Sequence, residues 1–109
     1  MEVLYADDDL RKLCASYRDL RARYGDVGAK RILQRIQILG LADTIDDVMQ
    51  GPGRCHPLKG AYYEACYALR LDGGFRLIFR LATDEEKEAA KISTGQAAVV
   101  VEITDYHDG

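Results

Sequence analysis

The chain holds few of the residues on which reactive or exported proteins usually rely. Only two histidines, His56 and His107, occur in its 109 residues. The three cysteines, Cys14, Cys55 and Cys66, are an odd number with no C-x-x-C pair, so neither a disulfide framework nor zinc-ligand spacing is present. This cysteine usage fits a reduced, cytosolic protein. No apolar run approaches the length needed to span a bilayer. The start, Met1-Glu2-Val3-Leu4-Tyr5-Ala6-Asp7, lacks both the basic lead-in and the apolar stretch of a secretory signal. Excess positive charge is missing too: the formal net charge is −3, which removes the general attraction that a basic protein has for nucleic acid.

What is present argues for a folded chain. With 48% hydrophobic and 30% charged residues, 109 residues suffice for one domain, expected to span 1–109. The charge is uneven. From Arg11 to Arg35, eight basic residues stand against Asp19 and Asp26, a local +6, while acids gather at 7–9, 43–47 and 84–88. By itself such a stretch is an ordinary solvated helix surface; it is also able to attract an acidic partner or a phosphate backbone.

The order of elements follows from periodicity and punctuation. Val3, Leu4 and Tyr5 read as a short strand that Asp7 stops. Asp7-Asp8-Asp9 supplies N-caps for a helix carrying Leu10, Leu13, Cys14, Tyr17, Leu20 and Tyr24 on one stripe. Gly25 ends it. Asp26 caps a second helix, with Ala29, Ile32, Leu33, Ile36 and Leu39, which Gly40 closes. So short a link predicts an antiparallel helical hairpin. A helical turn capped by Asp43 or Thr44 follows, and Gly51-Pro52-Gly53 breaks it. Alternation then predicts strands over 64–71 and 75–81, joined by a tight turn at Asp72-Gly73-Gly74. The charged stretch 82–96 holds a helical turn near 85–91, and the valine-rich run 97–104 is the last strand. The predicted fold class is α+β: an N-terminal strand and a two-helix hairpin packed on one face of an antiparallel sheet of about four strands.

The chemistry concentrates at the histidines. His56 lies in a Pro/Gly loop with Lys59, and His107 follows Asp105 and Tyr106 where the last strand frays. Metal-free phosphodiester cleavage needs two proton-transfer groups and a cation, and imidazole suits proton transfer near neutral pH. If strand 75–81 pairs antiparallel with 97–104, Arg76 comes to lie near Asp105, Tyr106 and His107. The position of His56 and Lys59 does not follow from that pairing.

Three stretches occur together in order: Gly53-Arg54-Cys55-His56-Pro57-Leu58-Lys59-Gly60, Gly73-Gly74-Phe75-Arg76-Leu77-Ile78-Phe79, and Asp105-Tyr106-His107. With the start Val3-Leu4-Tyr5-Ala6-Asp7, they resemble the plasmid-killer, HigB-like branch of the RelE/ParE toxin superfamily over nearly the whole chain. The resemblance implies a bacterial type II toxin that cuts mRNA in the ribosomal A site without metal or cofactor. A ribose 2′-hydroxyl attacks the adjacent phosphate and leaves a cyclic phosphate. It implies His56, Lys59, Arg76, Asp105, Tyr106 and His107 as the catalytic set, with the ribosome, mRNA and a helix-turn-helix antitoxin as partners and no membrane. His56 or Asp105 is then the base, His107 the acid, and Lys59 and Arg76 balance charge on the phosphate. Tyr106 hydrogen-bonds the phosphate or stacks on a base.

The chain departs from the family's habit in three places. Glu64 falls where positive charge is expected, the net charge is acidic, and the insertion 83–95 is long. Two other functions therefore stand beside the nuclease: a module that binds its antitoxin and cuts nothing, and a ParE-like gyrase inhibitor.

Overall fold

The computed structural model describes residues 1–105, in which strand, helices and sheet follow in the order the sequence predicts. Strand β1 (Glu2–Tyr5) leads into helix α1 (Asp8–Cys14), whose N-cap Asp7 accepts a hydrogen bond from Leu10 N–H at 2.8 Å. Helix α2 spans Tyr17–Leu41, α3 spans Ile45–Gln50, and β2 is the pair His56–Pro57. After a single 3-10 turn come β3 (Cys66–Arg70), β4 (Phe75–Leu81), α4 (Asp84–Ala89) and β5 (Ala97–Asp105).

The helical layer has one more break than its apolar stripe suggests. The first predicted helix divides at Ala15-Ser16, where the Ser16 hydroxyl accepts from Asp19 N–H at 3.2 Å and starts α2. The predicted end at Gly25 is a sharp kink within α2: Gly25 has φ 78° and ψ 171°, a conformation that essentially only glycine adopts. Past the kink, Tyr17 Oη donates to the Asp26 carboxylate and so ties the two limbs together.

The strands form one five-stranded sheet in the order β1-β5-β4-β3-β2. It differs from the expected sheet of about four antiparallel strands in two ways. The loop around His56 contributes a fifth, two-residue strand, pairing His56 with Ala68 and Pro57 with Tyr67. The pairing of β1 with β5 is parallel, with Glu2 opposite Ala97 and Tyr5 opposite Val100. The rest is antiparallel, and a bulge in β5 at Val101 interrupts the ladder between Ile78 and Phe79.

Alternation gives the sheet two different faces. Leu69, Leu77, Phe79, Ala98 and Val100 pack with Leu39, Ala42, Val48 and Cys55 into the main core, between sheet and helices. A second cluster under α2 joins Leu20, Ala29 and Ile32 to Leu71 and Ile103, and Tyr24 meets Phe75 edge-to-face at 5.5 Å. The opposite face carries a smaller apolar patch, Cys66, Ala68 and Ile78, against which Leu58, Tyr63 and Val101 pack. Among the described residues no helix is long and apolar enough to cross a membrane.

Candidate functional site

Register assigns side chains to this second face. Directly opposed residues of an antiparallel pair point to the same side. His56 therefore shares a row with Ala68, Ile78 and Glu102. One row toward the β3–β4 turn, Arg70, Arg76 and Thr104 stand side by side; one row the other way, Cys66, Arg80 and Val99 do. Rows of one face are about 7 Å apart along a strand. The histidine row is thus flanked by an arginine row on each side.

The loop before β2 orients His56. Gly53 and Arg54 both have positive φ, 103° and 50°. This turn points the Arg54 carbonyl at the imidazole, 2.9 Å from His56 Nδ1. A carbonyl oxygen only accepts, so Nδ1 carries the hydrogen, and in the neutral ring Nε2 is left with its lone pair. Nε2 is shielded from solvent. The loop is held from below by Arg35 of α2, a buried guanidinium whose Nε donates to the Arg70 carbonyl at 2.9 Å; Arg70 N–H in turn donates to Gly53 O at 2.7 Å. Burial and the neighbouring Arg31 push the Arg35 pKa down from its ordinary value. A Cβ on Gly53 would lie 2.8 Å from Arg35 Nε, so the glycine is what admits the arginine.

Arg76 is also buried, at 8% exposure. One of its terminal nitrogens donates to Phe75 O at 2.9 Å and Gly73 O at 3.4 Å, while its Nε finds no acceptor among the described residues. A guanidinium held by carbonyls, and not ion-paired among the described residues, keeps its charge available to an anion. Asp105 stands opposite Phe75, which packs on Tyr24 of α2, so alternation turns it to the other side of the sheet from the neighbouring Arg76–Thr104 pair, and it is exposed. Lys59 is exposed at the head of the turn that Gly60 opens with φ 97°. Tyr106 and His107 lie outside the described residues.

Other polar groups of this face were not singled out from the sequence. Glu102, in the histidine row, has one buried carboxylate oxygen with no donor among the described residues. It is an acid inside a valine-rich strand, and that mismatch was the signal available. Arg80 forms a two-pronged ion pair with Glu86 of α4, at 2.6 and 2.9 Å. The Arg80 guanidinium is the main reason the Glu86 carboxyl falls to a pKa of about 2. Among the described residues no three His, Cys, Asp or Glu side chains gather into a metal-binding group.

The layering defines a class of protein: an α+β domain with helices on one face of a mixed sheet and polar groups on the other. Among solved structures, the chain resembles the YoeB/ParE toxin from Agrobacterium tumefaciens, with a TM-score of 0.62 and 16% sequence identity over 98% of this chain and 100% of that one. The fold is therefore of the YoeB/ParE toxin type. No protein-family model matches the chain, and no curated protein matches it.

Proposed function

We propose that this protein is the toxin of a type II toxin–antitoxin pair, of the HigB-like kind, and acts as a metal-independent endoribonuclease on translated mRNA. The observation that carries the reading is the presence of an oriented imidazole, His56, and a buried guanidinium, Arg76, without a carboxylate partner among the described residues, on one face of the sheet. In the proposed reaction, His56 Nε2 takes the proton of a ribose 2′-hydroxyl. The 2′-oxygen bonds to the adjacent phosphorus, the bond from phosphorus to the 5′-oxygen breaks, and His107 gives that oxygen a proton. The products are a 2′,3′-cyclic phosphate and a free 5′-hydroxyl. Arg76 and Lys59 balance charge on the phosphorane, Tyr106 holds the phosphate or stacks on a base, and Asp105 orients its neighbours. The hydrogen bond from Nδ1 to Arg54 O favours His56 over Asp105 as the base, because it fixes the orientation and tautomer of the ring. A helix-turn-helix antitoxin, the ribosome and mRNA are the proposed partners, in the cytoplasm, and 1–109 is proposed to act as one domain without a cofactor.

The acidic balance, −3 overall, favours a second reading: a toxin-fold module that binds its antitoxin, or gyrase, and cuts nothing. One experiment separates the two. The protein is induced in a bacterial host and mRNA 5′ ends are mapped, beside His56→Ala and His107→Ala controls. New cuts in translated messages, absent from both controls, are expected. Growth arrest without new cuts from a soluble, folded protein would overturn the nuclease and leave the binding module.

A further inference from the structure

The second face carries three arginines in two rows, and only one of them is ion-paired to a described residue. Arg70 and Arg76 stand beside each other at one end. Arg80 stands at the other end, and both oxygens of Glu86 engage it. Glu86 is held in place twice over. It is the third residue of α4, where its carboxylate accepts from Thr83 N–H at 2.9 Å while the Thr83 hydroxyl accepts from Glu86 N–H at 3.1 Å. Lys87 anchors the next position by donating to Gly95 O at 3.2 Å. The rest of the helix adds acids that face solvent, Asp84, Glu85 and Glu88. The charged insertion thus brings a fixed carboxylate to an arginine that would otherwise extend the cationic surface past the histidine row.

We propose that α4 is an acidic stop: Glu86 occupies Arg80 as a phosphate would, and so limits the path of a bound RNA strand to the Arg70–Arg76 end of the face. The proposal rests on the nuclease reading for its ligand. It makes Glu86 a residue that determines which part of the strand is held, with no part in the chemistry. The bidentate geometry suits the role, because a guanidinium that meets a carboxylate with two parallel N–H groups meets a phosphate in the same way.

The test is binding of a short, fluorescein-labelled single-stranded RNA, 2′-O-methylated so that it cannot be cut, measured by anisotropy over a salt series. Glu86→Gln keeps an oxygen for the Thr83 cap and removes the charge. It is expected to tighten binding at least about threefold and to steepen the dependence of log K on log salt by about 0.7, the increment for one more phosphate contact on a single strand. Arg80→Ala in the otherwise unchanged protein is expected to leave affinity unchanged, and the double variant should return to the unchanged protein's value. Glu85→Gln alters net charge equally on the exposed side of the same helix and should do little. Thermal melts establish that each variant is folded.

Binding by the unchanged protein with no gain in Glu86→Gln, or an equal gain in Glu85→Gln, overturns the stop and leaves the nuclease reading standing. Weaker binding in Arg80→Ala alone overturns it too. A gain in Glu86→Gln that vanishes in the double variant, with no loss in Arg76→Ala, upholds the masked arginine and overturns the nuclease path. No binding by any variant overturns both.

Discussion

Arg54 adopts φ 50° and Gly53 φ 103°, and these two residues decide where the His56 ring points. A side chain at position 53 would be strained by its backbone angle and would strike Arg35 Nε. Gly53→Ala is therefore expected to cost about 1–3 kcal/mol in denaturant unfolding, and to weaken activity beyond that loss as the Arg54 carbonyl moves off His56. An unchanged melt with full activity would mean that the loop tolerates another path. The cysteines predict a second outcome at this scale. Cys14 and Cys55 are buried, and burial raises their thiols to a pKa of about 11; Cys66 is raised as well. All three are expected to react slowly with a disulfide reagent at neutral pH and rapidly after denaturation. Fast reaction of any one in the folded protein would contradict its burial. The place of Arg76 at the end of the β4–β5 ladder was readable in advance from antiparallel pairing, whereas the place of His56 was not. The Arg54 carbonyl was not readable, since a backbone oxygen has no signature in sequence.

The elements were legible where they are punctuated locally. Gly25, Thr44 and the Asp72-Gly73-Gly74 turn each mark a boundary by their own conformational preference, and the structure uses them all. The break at Ala15-Ser16 was hidden because Leu13, Cys14, Tyr17 and Leu20 carry the helical period straight through it. Strand β2 was hidden for the opposite reason: two residues, one of them Pro57, are too few to show alternation. Gly25 has open space where a Cβ would stand, so Gly25→Ala tests backbone strain alone. It is expected to destabilise by about 1–3 kcal/mol, read as a lower melting temperature. The α4 ion pair sets a pH dependence. Glu86 is depressed from 4.5 to about 2, so its contribution is complete above pH 4.5 and disappears as pH falls toward 2. The stability gap between the unchanged protein and Glu86→Gln should therefore shrink across that window. A gap that is constant down to pH 2 would mean that the carboxylate is not held by Arg80.

At the scale of the molecule, the local +6 of Arg11 to Arg35 is partly answered on the helices themselves. Asp8 pairs with Arg11 and Lys12, Asp19 with Arg18, and Asp26 with Lys30, all solvent-exposed and each worth little alone. The cations of the second face are positioned differently, by register, and the sequence could give that register only for β4 against β5. The parallel pairing of β1 with β5 was out of reach because it joins residues from opposite parts of the chain with no turn between them. The main core is shared by sheet and helices, with Phe79 fully buried at its centre and stacked on Tyr67 at 5.5 Å. Phe79→Ala is expected to cost about 3–5 kcal/mol and to shift one cooperative transition followed by circular dichroism and fluorescence alike. Separate transitions by the two probes would show that the sheet and the helices unfold apart.

The parallel strand pair also bears on how the protein comes into being. Glu2 of β1 waits for Ala97 of β5. At ordinary rates of translation, the stretch between them takes roughly 5 to 20 s to synthesise. For that interval β1 has no strand to join, and β4 lacks the neighbour that completes the Arg76 row. The nascent chain therefore emerges helices first, with its polar face unassembled, and a ribosome-directed activity of the kind proposed would stay silent until β5 is free to fold.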